Sequence, residues 1–321
     1  MKKDLGYTKP LFILPFDHRG SYSKKVFGIE GRAPTPEEME EMKVLKYVIY
    51  QAFEKAVSEG RPPKDGAAIL VDEEYGEAVL NDARAKGYTV CLPVEKSGQD
   101  ILELEFGDKF GEHIQKFKPT IVKVLVRYNP GDNKELNQKQ LQVLKQVSDF
   151  CLPAPTLRRE PAGMQVPGAG YKMLIEPLIP ATNEQLAQVG EDGSRYDNEI
   201  RPGLTVQMIK EFQDGGIEND IWKLEGMEKT SDYEAVSSQA RAGGRDNVGV
   251  IILGRGSDDE QVTKWLNAGA GVSGIIGFAV GRTIWLDSIK DLRQGKISRE
   301  DAISQIAAKY QSFYDIFVKA R

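Results

Sequence analysis

Residues 120–128, TIVKVLVRY, separate by simple alternation into two unlike faces. Ile121, Lys123, Leu125 and Arg127 share one side of an extended chain, while Val122, Val124 and Val126 share the other. An all-valine face suits packing beneath helices. The face that carries Lys123 and Arg127 must then turn toward an interior, with its charges near the C-terminal end of the strand. That is the pattern of a closed barrel, whose helices cover the outside and whose functional groups gather at strand C-termini.

Seven further segments read the same way. They are LFILPFD (11–17), GAAILVD (66–72), YTVCLPVE (88–95), YKMLIEPL (171–178), DIWKLEG (220–226), VGVIILG (248–254) and VSGIIGF (272–278). Most are nearly continuous apolar runs, as expected of parallel strands covered on both sides. Amphipathic stretches lie between them: 35–60, opened by a Thr35 cap and Pro36, then 73–87, 135–150, 231–244 and 258–271. A last helix is expected from Ser298 to the end. The alternation predicts a (β/α)8 barrel, an α/β fold in one domain over residues 1–321, with an extra C-terminal helix. An open doubly wound sheet would usually place a G-x-G-x-x-G turn after the first strand. DHRGSYSKKVFG stands there instead. The Pro/Gly-rich or polar segments 151–170 and 190–203 read as loops.

Composition narrows the partners. The chain has 321 residues, 28% of them charged, and a formal net charge of −5, so nothing draws it toward nucleic acid or an anionic membrane. The apolar patch LFILPF is only six residues long, shorter than a signal-peptide core or the ~18 apolar residues of a membrane span. Cys91 and Cys151 are the only cysteines, consistent with a reducing, cytoplasmic setting. A homo-oligomer is the protein partner that such barrels commonly have.

Alternation sends more charge inward. Asp17 follows Ile13 and Pro15, Glu176 lies between Leu174 and Leu178, and Lys223 and Glu225 follow Ile221. With Lys123, five charges from four strands converge on one interior. A buried ion-pair network is the blander explanation, yet buried charges cost several kcal/mol each unless paired. Amine catalysis would explain their presence. A lysine beside a second cation, in a partly desolvated site, loses its proton readily and attacks a ketone to give an iminium. A carboxylate then moves protons. Lys223 with Glu176 meets that need, with Lys123 as the second cation. No cofactor is required.

Two glycine-bearing stretches, ILGRGSDDEQV (252–262) and IGFAVGRTIW (276–285), follow the seventh and eighth strands and enter helices. Backbone N–H groups at such turns hold anions. Gly254, Arg255, Gly256, Gly281 and Arg282 are therefore candidates for a phosphate site. Of the two histidines, His18 at a strand end is the candidate site residue, and His113 reads as an ordinary helix residue. A three-histidine zinc site is impossible within the chain. A Mg²⁺ held by Asp72, Glu73 or Glu74 in VDEEYG is the metal alternative, though such acids more often form a helix N-terminus, where negative charge is favoured.

LFILPFDHRGS, VDEEYG, KVLVRYNP, LIEPLIP, WKLEG, LGRG and GFAVGRTIW together resemble the aldolase-type C-terminal domain of the myo-inositol catabolism kinase, 5-dehydro-2-deoxygluconokinase. That domain is similar to the tagatose-bisphosphate and archaeal-type class I aldolases. The resemblance runs from Leu11 to about Ile289 and leaves out the kinase half, whose Gly-Ala-Gly-Asp motif does not occur. It implies a Schiff-base lysine at Lys223, a second lysine at Lys123, a catalytic carboxylate at Glu176 and an aspartate at Asp17. It also implies phosphate held by Gly254 to Gly256 and by Gly281 with Arg282. Substrate contacts are expected from His18, Arg127 and Glu225. The expected reaction is aldol cleavage of a phosphorylated keto-sugar or keto-sugar acid, with 5-dehydro-2-deoxygluconate 6-phosphate first among them. The alternatives are a non-catalytic sugar-phosphate-binding barrel and a Mg²⁺-dependent lyase or isomerase.

Overall fold

The computed structural model describes residues 5–152 and 170–321. Eight parallel strands close into a barrel in chain order: β1 Leu11–Pro15, β2 Ala67–Leu70, β3 Thr89–Pro93, β4 Ile121–Arg127, β5 Lys172–Leu178, β6 Ile221–Glu225, β7 Gly249–Leu253 and β8 Ile275–Ala279. All eight expected strands are present. The eighth begins three residues later than its sequence pattern, because Val272–Gly274 form a turn in which Gly274 takes φ 95°.

The alternation holds in the barrel wall. Leu11, Ile13, Ala68, Leu70, Cys91, Ile121, Leu174, Ile221 and Ile251 fill a dry lower interior. Val122, Val124, Val126, Trp222 and Leu224 belong instead to the outer core under the helices. Water is thereby excluded from below, and the polar inward residues of the same strands are left at the upper mouth.

Helices cover the wall, and local chemistry starts them. Thr35 accepts from the backbone N–H of Glu38 and closes a capping box ahead of Pro36–Ser58. Asp72 caps Glu73–Ala85, and Asn133 caps Lys134–Cys151. Asp258 caps Asp259–Gly269, and Ser298 with Asp301 opens the final helix Arg299–Ala320. This last helix seals the barrel side beside β1: Tyr310 donates to the carbonyl of Phe12 at 2.6 Å. No helix among the described residues is long and apolar enough to cross a membrane.

Two loop expectations have different outcomes. Residues 190–203 are not a loop: Gly193–Arg195 and a π-turn at Tyr196–Ile200 run into the helix Arg201–Asp214. Asp192 caps this run, and an Asp197–Arg201 ion pair of 2.9 Å braces it, signals hidden by the surrounding polarity. Most of the expected loop 151–170 lies outside the described residues.

Closure of the barrel requires a glycine. β8 pairs with β1 through Gly277 and Leu11, and a Cβ at Gly277 would fall 1.8 Å from the Leu11 carbonyl oxygen. Gly203, exposed in the first turn of its helix, has open space around it. Gly277→Ala is therefore expected to destabilise by about 3 kcal/mol or more through overpacking. Gly203→Ala should instead stabilise by about 0.4–1 kcal/mol. Urea denaturation of both variants checks the pair; a midpoint unchanged in Gly277→Ala would contradict the closure argument.

Candidate active site

The C-terminal ends of the strands surround a cavity of about 550 Å³. All twelve expected site residues except Gly254 line it. At its floor lies the ionic cluster. Lys123 is 2% exposed, and its Nζ stands 3.0 Å from Asp17 Oδ2, 2.6 Å from Glu95 Oε1 and 3.0 Å from Glu176 Oε2. Lys223 is equally buried, with its Nζ 2.9 Å from the same Glu176 oxygen. One carboxylate oxygen thus bridges both ammonium groups.

Electrostatics follow from this arrangement. Burial works against charge on Lys123, but Asp17, Glu176 and Glu95 outweigh it and hold the amine well above the ordinary lysine range. Burial also pushes Asp17 and Glu176 up, and the lysines more than reverse it, so both carboxyls titrate below their usual range. Lys123 is consequently not a bare second cation beside Lys223, as the sequence implied. Its charge is matched by three carboxylates; it keeps Asp17 and Glu176 ionised and holds all three in place.

Glu95 was absent from the sequence reading. It follows Cys91 and Pro93 on the inward side of its strand, so the alternation that found Glu176 would have found it too. Its second oxygen accepts from the backbone N–H of Leu125 at 3.1 Å. Arg19, buried just after Asp17, donates to the Glu95 carbonyl at 2.7 Å and pairs with Glu105.

His18 lines the cavity, edge-on to Trp285 at 5.7 Å between ring centroids. Its Nδ1 has no hydrogen-bond partner among the described residues. Burial drives its pKa down to about 3, aided by Arg282 and Lys223 and opposed by Asp17. Its carbonyl accepts from Lys46 at 3.1 Å, and that fully buried lysine also pairs with Asp72. Asp72 is thus spent on Lys46 and on capping Tyr75, while Glu73 faces His113 at 3.5 Å. The VDEEYG acids do not converge on the cavity as a metal site would require. His113 stacks on Phe106, apart from the cavity.

The anion end also differs in detail from expectation. Arg255 Nε stands 3.0 Å from Glu225, and its Nη1 stands 2.6 Å from Asp197. Glu225 in turn accepts from the backbone of Ile179. The Arg255 and Glu225 side chains are therefore committed to one another, and the Gly254 N–H donates to Ala279. Arg282 has no carboxylate partner among the described residues. It donates to the carbonyl of Arg255, which takes a left-handed φ of 55° beside Gly256 at 77°. A Cβ at Gly256 would press within 2.9 Å of the Arg282 guanidinium. Gly281 begins the helix Arg282–Arg293, so its N-terminus and Arg282 face the same corner. Opposite, Arg127 donates to the carbonyl of Gln99 at 2.6 Å and keeps its remaining donors for the cavity.

The depressed His18 pKa fixes the sign of one pH effect. Unfolded chains take up the His18 proton near the ordinary value of about 6.5, whereas the native state refuses it down to about 3. The unfolded state binds more protons in that window, so this contribution to stability is lost as pH falls through it. Wild type should lose more stability than His18→Gln between neutral pH and the lower end of that window. Parallel urea midpoints for the two proteins across the window would refute the assignment.

Comparison with known proteins adds relatives. Tagatose 1,6-diphosphate aldolase 2 of Streptococcus agalactiae serotype III (strain NEM316) is 24% identical over 306 residues, covering 88% of this chain and 83% of its own length. The tagatose 1,6-diphosphate aldolase of Lactococcus lactis subsp. lactis is 24% identical over 314 residues, covering 89% and 84%. Fructose-bisphosphate aldolase from Plasmodium falciparum, solved in complex with TRAP and a small-molecule inhibitor, superposes with a TM-score of 0.63 at 13% identity, over 98% of this chain and 92% of that one. At that identity it speaks for the barrel fold alone. The family model described as "Uncharacterized protein conserved in bacteria (DUF2090)" matches residues 4–156 and 182–321, and the chain belongs to that family.

Proposed function

We propose that this protein is a class I, Schiff-base aldolase that cleaves a phosphorylated keto-sugar or keto-sugar acid. The observation that carries the reading is the Glu176 oxygen held 2.9 Å from Lys223 and 3.0 Å from Lys123 at the floor of the cavity. The names of the relatives support the coarser part of the reading, aldol cleavage of a phosphorylated sugar. Lys223 passes a proton to Glu176 and its free amine adds to the substrate ketone. Glu176 returns the proton to the carbinolamine hydroxyl, which leaves as water and gives the iminium. The iminium draws the electrons of the adjacent C–C bond, and a carboxylate takes the proton of the hydroxyl that becomes the product aldehyde. Lys123 keeps Asp17 and Glu176 ionised for these transfers.

Arg282 and the N-terminus of its helix hold the phosphate, with the Arg255–Gly256 turn shaping that corner. Arg255 acts through its backbone, with its side chain clamped by Glu225 and Asp197. Arg127 meets an anion at the far end of the substrate. The first candidate substrate is 5-dehydro-2-deoxygluconate 6-phosphate, whose cleavage gives dihydroxyacetone phosphate and malonate semialdehyde. Its distal carboxylate suits Arg127. The tagatose bisphosphate for which the relatives are named carries a phosphate there instead.

Incubation with dihydroxyacetone phosphate followed by borohydride tests the reading. A stable adduct on Lys223, located by mass spectrometry, is expected, and Lys223→Arg should abolish it with a loss of cleavage of at least about 10³-fold. A wild-type protein that binds the phosphate ester but yields no adduct would instead be a sugar-phosphate-binding barrel. Activity lost with EDTA and restored by Mg²⁺ would sink the Schiff-base mechanism. Arg282→Ala should raise KM by about 10- to 100-fold, the worth of a charge-assisted hydrogen bond, with a smaller change in kcat. Initial rates with both candidate substrates measure this and rank them.

A further inference from the structure

Aldol cleavage through an iminium leaves a proton to be stored. As the C–C bond breaks, its electron pair moves into the C=C bond of an enamine and the C=N⁺ bond becomes C–N. The hydroxyl O–H bond breaks at the same time to give the aldehyde. The cationic charge on Lys223 disappears while a proton enters the cluster, and that proton must wait until the enamine is protonated on carbon.

Three carboxyls share the cluster, in unlike surroundings. Glu176 touches both lysines, and Asp17 touches Lys123 with Lys223 near enough to act on it. Of the two lysines Glu95 touches only Lys123, at 2.6 Å, while its other oxygen accepts from the Leu125 N–H; it is 7% exposed. It faces Lys123 from β4, Asp17 and Arg19 from the end of β1, and Glu105 through Arg19. Asp72 of the neighbouring β2 end is engaged with Lys46. Lys123 thus stands between Glu176, beside the reacting amine, and Glu95, remote from it.

We propose that Glu95, acting through Lys123, holds the proton released at the enamine stage and returns it when the enamine is protonated. Glu176 passes its new proton to Lys123 across 3.0 Å, while Lys123 gives one of its own to Glu95 Oε1 across 2.6 Å. Lys123 ends the step with three N–H bonds, as it began. One O–H bond is lost from the substrate and one is gained on Glu95, and the reverse transfer restores the iminium. Glu95 is a positioning residue in this scheme, since it reaches the reacting atoms only through Lys123. Burial, assisted by Asp17 and opposed by Lys123, holds the Glu95 carboxyl above the ordinary glutamate range. The lysines hold Asp17 and Glu176 below theirs despite the same burial. The proton therefore rests where it leaves the other two carboxylates ionised.

The role rests on the Schiff-base reading, and one probe separates the two. The full chain is incubated with dihydroxyacetone phosphate in deuterated water. Iminium is measured as the borohydride-trapped adduct, and enamine formation as the rate of deuterium entry at the carbon beside the carbonyl, followed by NMR across the neutral pH range. Glu95→Gln keeps the size of the side chain and an acceptor for Lys123. It is expected to trap as much adduct as wild type but to exchange about 10- to 100-fold more slowly, with a flattened pH profile. Glu95→Asp should recover part of the rate. Undiminished exchange in Glu95→Gln would overturn the proposal. So would adduct and exchange lost in equal proportion with no recovery in Glu95→Asp, which would make Glu95 a purely structural support. A wild-type protein that forms no adduct would overturn the Schiff-base reading itself and this role with it.

Discussion

A single buried ammonium organises the mouth of this barrel. Lys123 on β4 gathers carboxylates from the ends of β1, β3 and β5, and the β5 carboxylate reaches on to Lys223 of β6. Removing one partner of a buried ion pair costs about 3–5 kcal/mol, because the remaining charge stays desolvated. Five charges can coexist in a site this dry only if each keeps its partners. The pairing therefore ties five of the eight strand ends to one geometry. The dry aliphatic layer below, from Leu11 to Ile251, makes the constraint strict by keeping water from substituting for a lost partner.

The same rule sorts the cations at the rim. Arg255 is neutralised by Glu225 and Asp197, and its guanidinium clamps the ends of β6 and β7 to the turn before Arg201–Asp214. Arg282 and Arg127 donate only to carbonyls among the described residues, so neither is paired with a carboxylate there. The two lie at the end of β4 and after β8, on opposite sides of the cavity, above a floor where two ammonium groups meet three carboxylates. Lys46 and Asp72, fully buried behind His18, fix the loop that aims Asp17 at Lys123.

Most of the framework was legible in the chain. Strand positions followed from apolar runs bounded by turn residues, and helix starts followed from Thr35, Asp72 and Ser298, each a capping residue whose bond is made to a neighbour three residues on. The helical run at 193–200 was illegible because its local supports, the Asp192 cap and the Asp197–Arg201 pair, sit in a uniformly polar stretch, and the further tie from Asp197 to Arg255 spans distant sequence. Glu95 differs: it stands two residues past the end of β3, where alternation from Cys91 and Pro93 still marks it as inward but its ion pair with Lys123 comes only from the fold.

What the sequence alone determined was which way each side chain faces. Alternation is a property of the chain itself, and the contrast between Val122, Val124 and Val126 outside and Lys123 inside survives unchanged in the folded barrel. What only the tertiary structure decided was which charge meets which. Ion pairing depends on distances between strand ends set by register and closure, such as Gly277 seated against Leu11. The charges that TIVKVLVRY sends inward are therefore written in that stretch. Their division of labour, with Lys123 bound by three carboxylates and Arg127 left open, arises only when the barrel closes.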